Sequence, residues 1–412
     1  MMSTPYLRMK RLFLCLLAIG VAFAAMAQKK PSPAQVQKKA IDQAKAAIKS
    51  GKNLDKVEKQ LADLLVDSTY SRNEKIWHAY CDIVKAQYDQ GNEKLYLKQK
   101  YDTTTLFTTA RKLFLAYETL DSIEASATKK GSVSHRQKHA ETLHVLRPNL
   151  YNAGAYHLRK RDFTQAWRFY DIYLDCAHQP IFSDYAYATN DTLMTTAAYW
   201  ALYSAFQTKN NDNVLKYRQL AERDTARLDN VLQWVAETLL AKGDTAGYIT
   251  TMRRGFDHMP SHRFFFPRLI DYYNAKEMSD SAHVIIDKAL QTDSTNTLFL
   301  FAKSTALLNA GRYEECESIT EKLLAIDDTM AEAYANMGLA YYNQAIQMGQ
   351  TITKPRKKKK CVNALLEKSR PYMEKFRQMA PNQQAKWLPA LYTIYFSLNM
   401  GKEFDEIDKL RK

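Results

Sequence analysis

The chain has 412 residues, of which 46% are hydrophobic and 25% are charged, with only 12 glycines and 11 prolines. This composition excludes a chain that is disordered, collagen-like or of low complexity over most of its length. The net charge of +15 favours anionic partners but indicates no particular fold.

The amino-terminal residues have the pattern of a secretory signal peptide. A basic stretch that includes Arg8 and Arg11 precedes an apolar run over 12–27, which ends in an A-x-A cleavage sequence at 25–27. A single-pass membrane anchor is the alternative, but a bilayer span needs about 20 apolar residues, and this run is shorter. We therefore predict a signal peptide over 1–27 and a periplasmic or cell-envelope location. Removal of this leader lowers the net charge to +12.

A series of less regular helices follows the leader. Apolar residues at spacings of three and four predict helices over 34–49, 54–66, 74–90, 105–127 and 135–146. Gly51 and the sequence DQGN at 89–92 are the expected helix stops. We interpret 28–146 as helical hairpins that are irregular or divergent repeats, with no strand pattern anywhere in the chain.

A repeat of 34 residues dominates the rest of the sequence. In the second helix of each unit, small or apolar residues recur at this spacing at Val214, Tyr248, Ala282 and Cys316. In the first helix, the same spacing joins Leu202, Ala236, Ile270, Ser304 and Gly338. One helical hairpin cannot bury its own apolar face, so a constant period of this length predicts hairpins that stack side by side.

Three segments carry a more specific resemblance, namely 152–175, 238–260 and 333–345. Their pattern resembles the tetratricopeptide repeat (TPR) family, and Gly154 and Ala166 are 12 residues apart, as are the small residues of that repeat. The resemblance implies an all-α solenoid over 147–412, in which antiparallel helix pairs form a right-handed superhelix. The stretch over 97–122 is similar to exported repeat proteins of Bacteroidetes-type bacteria.

Two departures from the 34-residue period predict insertions. The distance from Ala166 to Val214, the next equivalent position, is 48 residues where 34 are expected, which places an insertion near 179–193. Within the next affected repeat, Gly338 of the first helix and Ser369 of the second are 31 residues apart where 12 are expected, which places a second insertion near 345–363. Ser304 stands where the family has glycine, so we expect looser or rearranged packing at that repeat.

The resemblance also implies a concave groove lined by one face of each first helix. In this register the predicted partner-binding residues are Tyr151, Asn152, Arg159, Tyr199, Trp200, Tyr203, Trp234, Arg268, Asp271, Asn274 and Asn336. Aromatic and arginine side chains offer a large contact area together with a polar group, which is typical of interfaces. Core packing between repeats is the alternative for Trp200 and Trp234, because an error of one residue in register exchanges lining and core.

A run of cations lies in the second predicted insertion. It consists of Lys354, Arg356, Lys357, Lys358, Lys359 and Lys360. Mutual repulsion predicts an extended, solvated basic loop. The alternative function is contact with anionic lipid headgroups or an anionic glycan, since basic residues near such a surface are attracted to it.

The sequence lacks a recognisable reaction centre. Cys81, Cys176, Cys316 and Cys361 show no C-x-x-C pair, so we predict free thiols, with one disulfide as the alternative in an oxidising compartment. His135 and His139 lie four apart without the glutamate of a zinc protease, which indicates a local basic patch. No phosphate-binding loop or nucleophile elbow is present. We predict no enzyme activity, no cofactor and no metal.

These observations favour an exported scaffold or adaptor that binds a protein or peptide partner in its concave groove, within a cell-envelope assembly. A glycan-binding accessory protein is the alternative, because aromatic side chains can stack on sugar rings. A nucleic-acid reader is a third class, suggested only by the positive charge. Both the repeat length and the predicted compartment speak against it.

Overall fold

The computed structural model describes residues 31–127, 133 and 135–411. The predicted signal peptide over 1–27 lies outside these described residues. Throughout the described ranges, every regular element is a helix and no strand is formed. None of the helices in that part of the chain is long and apolar enough to cross a membrane.

The chain divides into two compact units, which meet in sequence between Asn213 and Val214. The α-helices of the first unit are α1 (Pro33–Ser50), α2 (Leu54–Val66), α3 (Glu74–Tyr96), α4 (Thr103–Ala127), α5 (Arg136–Arg159), α6 (Phe163–Asp175), α7 (Tyr187–Asn190) and α8 (Met194–Gln207). A 3-10 helix, Pro180–Tyr185, precedes α7. The short helix α9 (Asn211–Lys216) contains the division.

The second unit continues with the same type of element. Its helices are α10 (Arg218–Ala221), α11 (Leu228–Ala241), α12 (Thr245–His258), α13 (Phe265–Ala275), α14 (Ser279–Thr292), α15 (Thr297–Asn309), α16 (Tyr313–Ile326), α17 (Ala331–Thr351), α18 (Pro355–Met379), α19 (Gln384–Ser397) and α20 (Gly401–Lys409). A 3-10 turn, Thr225–Arg227, precedes α11.

Helix α1 begins and ends where its sequence signals lie. Ser32 and Gln35 form a capping box, in which each side chain accepts a hydrogen bond from the backbone N–H of the other, and Pro33 occupies the first helical position. Gly51 ends the helix in the left-handed conformation, with φ of 65°. The predicted stop at Gly51 is therefore confirmed.

Two of the predicted helix ends in the first unit are wrong. Helix α3 continues through Gly91 to Tyr96. The glycine allows the Tyr101 ring to pack against this helix, because a Cβ at Gly91 would lie 2.6 Å from the ring. The missing side chain therefore serves a close contact, and the predicted stop at 89–92 does not form. Helix α5 likewise continues past 146 to Arg159 despite its internal Pro148, and the domain boundary that we predicted at 146/147 lies within this helix.

The segment over 179–193 lies between α6 and α8, where the first insertion is predicted. It contains the 3-10 helix and α7. Arg147 of α5 holds this segment, because its guanidinium lies 3.8 Å from the ring centroids of both Tyr173 and Tyr187 and donates a hydrogen bond to Asp191 at 2.7 Å. A buried cation thus attaches the insertion to the helices on which it packs.

The repeats form five hairpins of neighbouring helices in the second unit: α11/α12, α13/α14, α15/α16, α17/α18 and α19/α20. The small or apolar residues at the 34-residue positions of the second helices are all buried. At Gly338, the absent side chain makes room for Met373 of the paired helix, whose sulfur would lie 2.5 Å from an added Cβ. The predicted all-α, TPR-like helical-hairpin fold is confirmed.

The second predicted insertion and its basic loop are regular helix. The residues near 345–363 lengthen both helices of one hairpin, so that α17 continues to Thr351 and α18 begins at Pro355. The six cations, Lys354, Arg356, Lys357, Lys358, Lys359 and Lys360, form the cap and first turns of α18 and are exposed. The prediction of an extended loop is wrong, because pairing with α17 and the favourable Pro355 at the first helical position stabilise helix there.

Candidate functional site

A cavity of about 220 Å³ opens in the second unit between α13 and α15, the first helices of two successive repeats. Its apolar lining consists of Phe266, Pro267, Ile270, Ile286, Leu298, Phe301, Ala302 and Ala306. Its polar lining consists of Asp271, Asn274, Thr305 and Asn309. The cavity is therefore mostly apolar with a few polar groups, which is the usual chemistry of a binding pocket.

Helical periodicity explains why these side chains share one face. On α13, the lining residues Pro267, Ile270, Asp271 and Asn274 follow spacings of three and four, which bring side chains onto the same side of a helix. The lining residues of α15 follow the same rule from Leu298 to Asn309. Each wall is therefore a continuous stripe along its helix.

The start of α15 is fixed by a capping residue. The Asn296 side chain accepts hydrogen bonds from the backbone N–H groups of Leu298 and Phe299, at 3.1 and 3.4 Å. These contacts satisfy amides that have no partner within the helix. Since Leu298 is the first residue of α15 in the cavity wall, the cap also sets where this wall begins.

The polar groups lie where a partner can reach them. Asp271, Asn274 and Asn309 are exposed, whereas Phe266 is buried and Ile270 and Phe301 are half-buried. Apolar side chains thus form the deeper surface, and a carboxylate and two amides surround its opening. Such an arrangement can accept an apolar side chain and hydrogen-bond the polar groups next to it.

The structure brings two of the predicted groove residues, Asp271 and Asn274, into this cavity wall. Arg268 is exposed on the same helix but does not line the cavity. Its guanidinium lies 4.1 Å from the ring centroid of Phe264, and Nη1 donates a hydrogen bond to the Phe264 carbonyl at 3.2 Å. Arg268 therefore packs back on the start of its own helix, where its charge remains accessible.

Asn336 was predicted to line the groove, and this prediction is wrong. Its residue is only 7% exposed, and Nδ2 donates hydrogen bonds to Ser304 Oγ at 2.8 Å and Thr305 Oγ1 at 2.9 Å. Ser304 is also buried and donates to the Phe301 carbonyl at 2.9 Å. The hydroxyl that replaces glycine is therefore used to join α17 to α15, directly behind the cavity wall.

The predicted residues on α5 have different environments. Tyr151 is half-buried, with its ring centroid 5.7 Å from that of Tyr170 and 5.5 Å from that of Tyr173. Asn152 and Arg159 are exposed. On this helix, the aromatic residue contributes to packing, and the amide and guanidinium are available to solvent.

The aromatic residues of α8 pack mainly against one another. Tyr199 is buried, with 7% exposure, so its prediction as groove lining is wrong. Trp200 and Tyr203 are half-buried, and the Trp200 ring makes edge-to-face contacts with Tyr199 and Tyr203 at 4.8 and 5.9 Å. Tyr203 also contacts Phe163 edge to face at 5.7 Å. Trp234 on α11 is half-buried as well.

Sequence reasoning missed the apolar side chains that give the cavity its character. Phe266, Ile270 and Phe301 follow the helical period and read as ordinary core. No sequence signal separated Ile270 from the core, because Leu202, in the same 34-residue series, is equally large and is fully buried.

Three of the four cysteines in the described part of the chain are buried and offer no reactive thiolate. All four are free thiols, and Cys81, Cys176 and Cys316 are buried. Burial raises the pKa of Cys316 to about 11 and also raises the pKa of Cys81 and Cys176. Because the thiolate is the nucleophile, these side chains are unreactive at neutral pH.

No protein-family model matches this chain, and no curated protein matches it. Among solved structures, it is similar to the C-terminal part of a TPR repeat-containing protein from Cytophaga hutchinsonii, with 13% identity, a TM-score of 0.41 and coverage of 63% of this chain and 93% of that one. It is also similar to the TPR domain of P58(IPK), with 11% identity, a TM-score of 0.27 and coverage of 89% and 99%. It is also similar to the TPR2AB domain of yeast Sti1 in complex with pHSP90, with 10% identity, a TM-score of 0.24 and coverage of 62% of this chain and 99% of that one.

Proposed function

We propose that this protein is a non-enzymatic scaffold whose cavity between α13 and α15 binds an apolar side chain of a protein or peptide partner. The observation that carries this proposal is the apolar cavity of about 220 Å³ with exposed polar groups at its opening. A buried apolar anchor surrounded by polar contacts is the usual centre of a protein interface.

The composition of the opening suggests which peptide would fit. Asn274 and Asn309 can each donate and accept hydrogen bonds, as a peptide backbone requires, and they lie on opposite walls. The Asp271 carboxylate can only accept, so it favours a basic or hydrogen-bond-donating residue in the partner. We infer a partner segment in which a leucine-sized or aromatic residue has a basic neighbour.

A peptide fits the described aromatic residues better than a glycan does. Sugar binding uses the open face of an aromatic ring, whereas the rings of Trp200 and Tyr203 are half-buried and contact each other edge to face. Their π-systems already have partners within the first unit. These contacts support structural packing as the main role of the α8 aromatics.

We also propose that the protein acts after export, in the cell envelope. The support is the sequence pattern over 1–27, with its basic stretch, apolar run and A-x-A site. We keep the prediction that the exposed cations in the first turns of α18 contact an anionic lipid or glycan. Their position at a helix start, where the macrodipole disfavours positive charge, makes an acidic neighbour favourable there.

The peptide proposal can be tested with a randomised peptide library displayed on phage and selected on the chain without 1–27. Ala302→Trp would fill the cavity, whereas Ala325→Trp places the same side chain on the exposed surface of α16. We expect selected peptides to bind the parent and Ala325→Trp equally, and Ala302→Trp at least about tenfold more weakly, which is ~1.4 kcal/mol. Circular dichroism would confirm that both variants are folded.

Two results would contradict the proposal. Equal peptide affinity of Ala302→Trp and Ala325→Trp would show that the peptides bind elsewhere. A library that yields no peptide for the folded parent would count against peptide binding as the function. The apolar and basic residues enriched among the selected peptides would at the same time test the inferred partner chemistry.

A further inference from the structure

Three potential metal ligands converge in the first unit, far from the peptide cavity in sequence. The ligand atoms of His78, Glu124 and His135 all lie within 4.8 Å of one another. His78 Nε2 lies 2.8 Å from Glu124 Oε1, and His135 Nδ1 lies 3.0 Å from the same oxygen. One carboxylate oxygen thus lies between two imidazole nitrogens. The three side chains come from separate parts of the chain.

These separations are close to those of a metal site. Zinc binds imidazole nitrogen and carboxylate oxygen at about 2.0–2.2 Å, so tetrahedral geometry places two ligand atoms about 3.3–3.5 Å apart. The two distances to Glu124 Oε1, 2.8 and 3.0 Å, are those of hydrogen bonds and need to increase by a few tenths of an ångström, and the two imidazole nitrogens lie within 4.8 Å of each other. The His78 and His135 side chains are 32% and 49% exposed and can move, whereas Glu124 is 7% exposed and held in place.

A separate ion pair positions two of the three ligands. Arg136 Nε and Nη2 donate hydrogen bonds to the two carboxylate oxygens of Asp121, both at 2.8 Å. Asp121 lies one helical turn before Glu124 on α4, and Arg136 directly follows His135. This bidentate pair has a defined geometry, so it keeps the start of α5 beside Glu124 without any contribution from a metal.

A fourth histidine closes one side of the cluster. His139 lies one turn after His135 on α5 and is buried, and its ring centroid is 5.7 Å from those of both His78 and His135. Its Nδ1 is buried and makes no hydrogen bond with a described residue. Such a nitrogen is unfavourable in a protein interior, and a bound ion or its water would supply the missing partner.

Solvent can reach the cluster. A cavity of about 320 Å³ between α1 and α3 is lined by His78 and by Asp82, one turn further along α3. An ion can therefore enter beside His78. Lys45 and Lys75 also line this cavity, so its charged lining is mixed.

We propose that His78, Glu124 and His135 bind one Zn²⁺ ion, with His139 beside an open fourth position. Two imidazoles and one carboxylate suit zinc, whereas Mg²⁺ and Ca²⁺ prefer ligand sets made only of oxygen. Three protein ligands leave a place for water or for a side chain of a partner. The ion would join α3, α4 and the start of α5, and so stabilise the first unit by mass action.

The direct test is zinc titration of the full chain without 1–27, prepared without a histidine tag and stripped of metal by a chelator. Isothermal titration calorimetry should give one zinc per chain with micromolar or tighter affinity, and no signal with Mg²⁺. Zinc should also raise the melting temperature. A parent protein that binds no zinc under these conditions would overturn the proposal.

Variants assign the ion to this cluster. Glu124→Gln keeps the shape of the side chain but removes the charge, and His78→Ala removes one imidazole. Each should weaken zinc binding at least about tenfold, because the loss of even an indirect contact to a metal costs about 10–100-fold in affinity. His258→Ala and His283→Ala, in the second unit, serve as controls and should bind zinc as the parent does. Equal loss in the controls, or unchanged binding in Glu124→Gln, would show that the site is elsewhere.

A second measurement needs no variant and so does not depend on variant folding. Diethyl pyrocarbonate modifies accessible imidazoles, and mass spectrometry locates the modified residues. In the parent, zinc should protect His78 and His135 from modification and leave exposed His258 unchanged. Equal modification of His78 and His135 with and without zinc would overturn the assignment.

Discussion

The α3–α5 region of the first unit and the α13–α15 region of the second use polar side chains in opposite ways. In the first region, Asp121, Glu124 and His139 are buried. In the second, Asp271 and Asn274 are exposed beside an apolar cavity. In these two regions, the irregular helices keep ionisable groups inside, and the regular repeats keep them exposed beside a cavity.

This difference has an energetic consequence. A buried charge loses its hydration and remains favourable only while its partner is in place, so removal of one partner is costly. An exposed pair in water contributes little. Single polar substitutions should therefore destabilise the first unit far more than the second, whereas the second should be most sensitive to changes in the volume of its small residues.

The largest effect is expected from Arg147→Ala in the first unit. Arg147 is buried, donates to Asp191 at 2.7 Å and to the Tyr173 carbonyl at 3.0 Å, and lies between two tyrosine rings. Its loss leaves Asp191 without a cation and should lower the free energy of unfolding by about 3–5 kcal/mol. Urea denaturation followed by circular dichroism measures this change.

The matched substitution in the second unit is Arg312→Ala. Arg312 pairs with Glu315, and both side chains are about half exposed, at 51% and 55%. Its removal should change the free energy of unfolding by less than about 1 kcal/mol. If the two alanine variants lose similar stability, the contrast between the two regions is wrong.

A smaller effect is expected where two helices of the second unit touch through a glycine. In Gly338→Ala, the new Cβ would lie 2.5 Å from the Met373 sulfur and 3.2 Å from the Met373 backbone nitrogen, so α17 and α18 must separate slightly. Such overpacking should cost about 1–3 kcal/mol. Thermal denaturation of the variant measures the loss.

Gly349→Ala is the control on the same helix. The nearest atom to its new Cβ would be Val362 Cγ2 at 3.8 Å, an ordinary contact. Alanine has the higher helix propensity, so this variant should gain up to about 1 kcal/mol. A loss of stability in Gly349→Ala as large as that in Gly338→Ala would show that close approach of the helices does not govern this hairpin.

The smallest expected effect depends on pH. Burial, with Asp175 nearby, raises the pKa of Glu118 to about 8 from an ordinary value of 4.5. The folded state therefore holds this proton more tightly than the unfolded chain. The resulting stabilisation is present below pH 4.5 and is lost as the pH rises through 8.

Glu118→Gln removes this titration. As the pH is raised from 5 to 9, the free energy of unfolding of the variant should increase by about 1–2 kcal/mol relative to that of the parent. One unit of pKa corresponds to ~1.4 kcal/mol, and the partial exposure of Glu118 reduces the effect of the full shift. Urea denaturation at the two pH values measures the gain. Glu315→Gln, at an exposed position, should follow the parent at both pH values. The same behaviour in Glu118→Gln would show that the Glu118 carboxyl group is not held neutral in the folded state.

Much of the helical architecture could be predicted because its signals are local. Apolar spacing located α2 at Leu54–Val66, and Gly51 ended α1 where expected. Gly91 misled the prediction, since a glycine that ends a helix and one that admits a neighbouring ring look alike in sequence. The cations after Lys354 misled it as well, because repulsion along the chain is outweighed by pairing with α17.

The groove was predicted less well than the helices. Asp271 and Asn274 line the cavity, but Asn336 and Tyr199 are buried. Successive residues of a helix point about 100° apart, so a small error in register moves a side chain from the groove into the core. Asn336 belongs to the repeat that keeps its small residue, Gly338, and its amide is nevertheless buried in hydrogen bonds to Ser304 and Thr305.

The sequence by itself determined the helical class, the 34-residue period and one face of α13, because each depends on residues close together in the chain. Only the tertiary structure decided which distant side chains meet: Asn336 with Ser304, Arg147 with Asp191, and His78 and His135 with Glu124. These contacts depend on how packed helices are rotated and spaced. Side-chain volumes set that arrangement, and no regular spacing in the sequence encodes it.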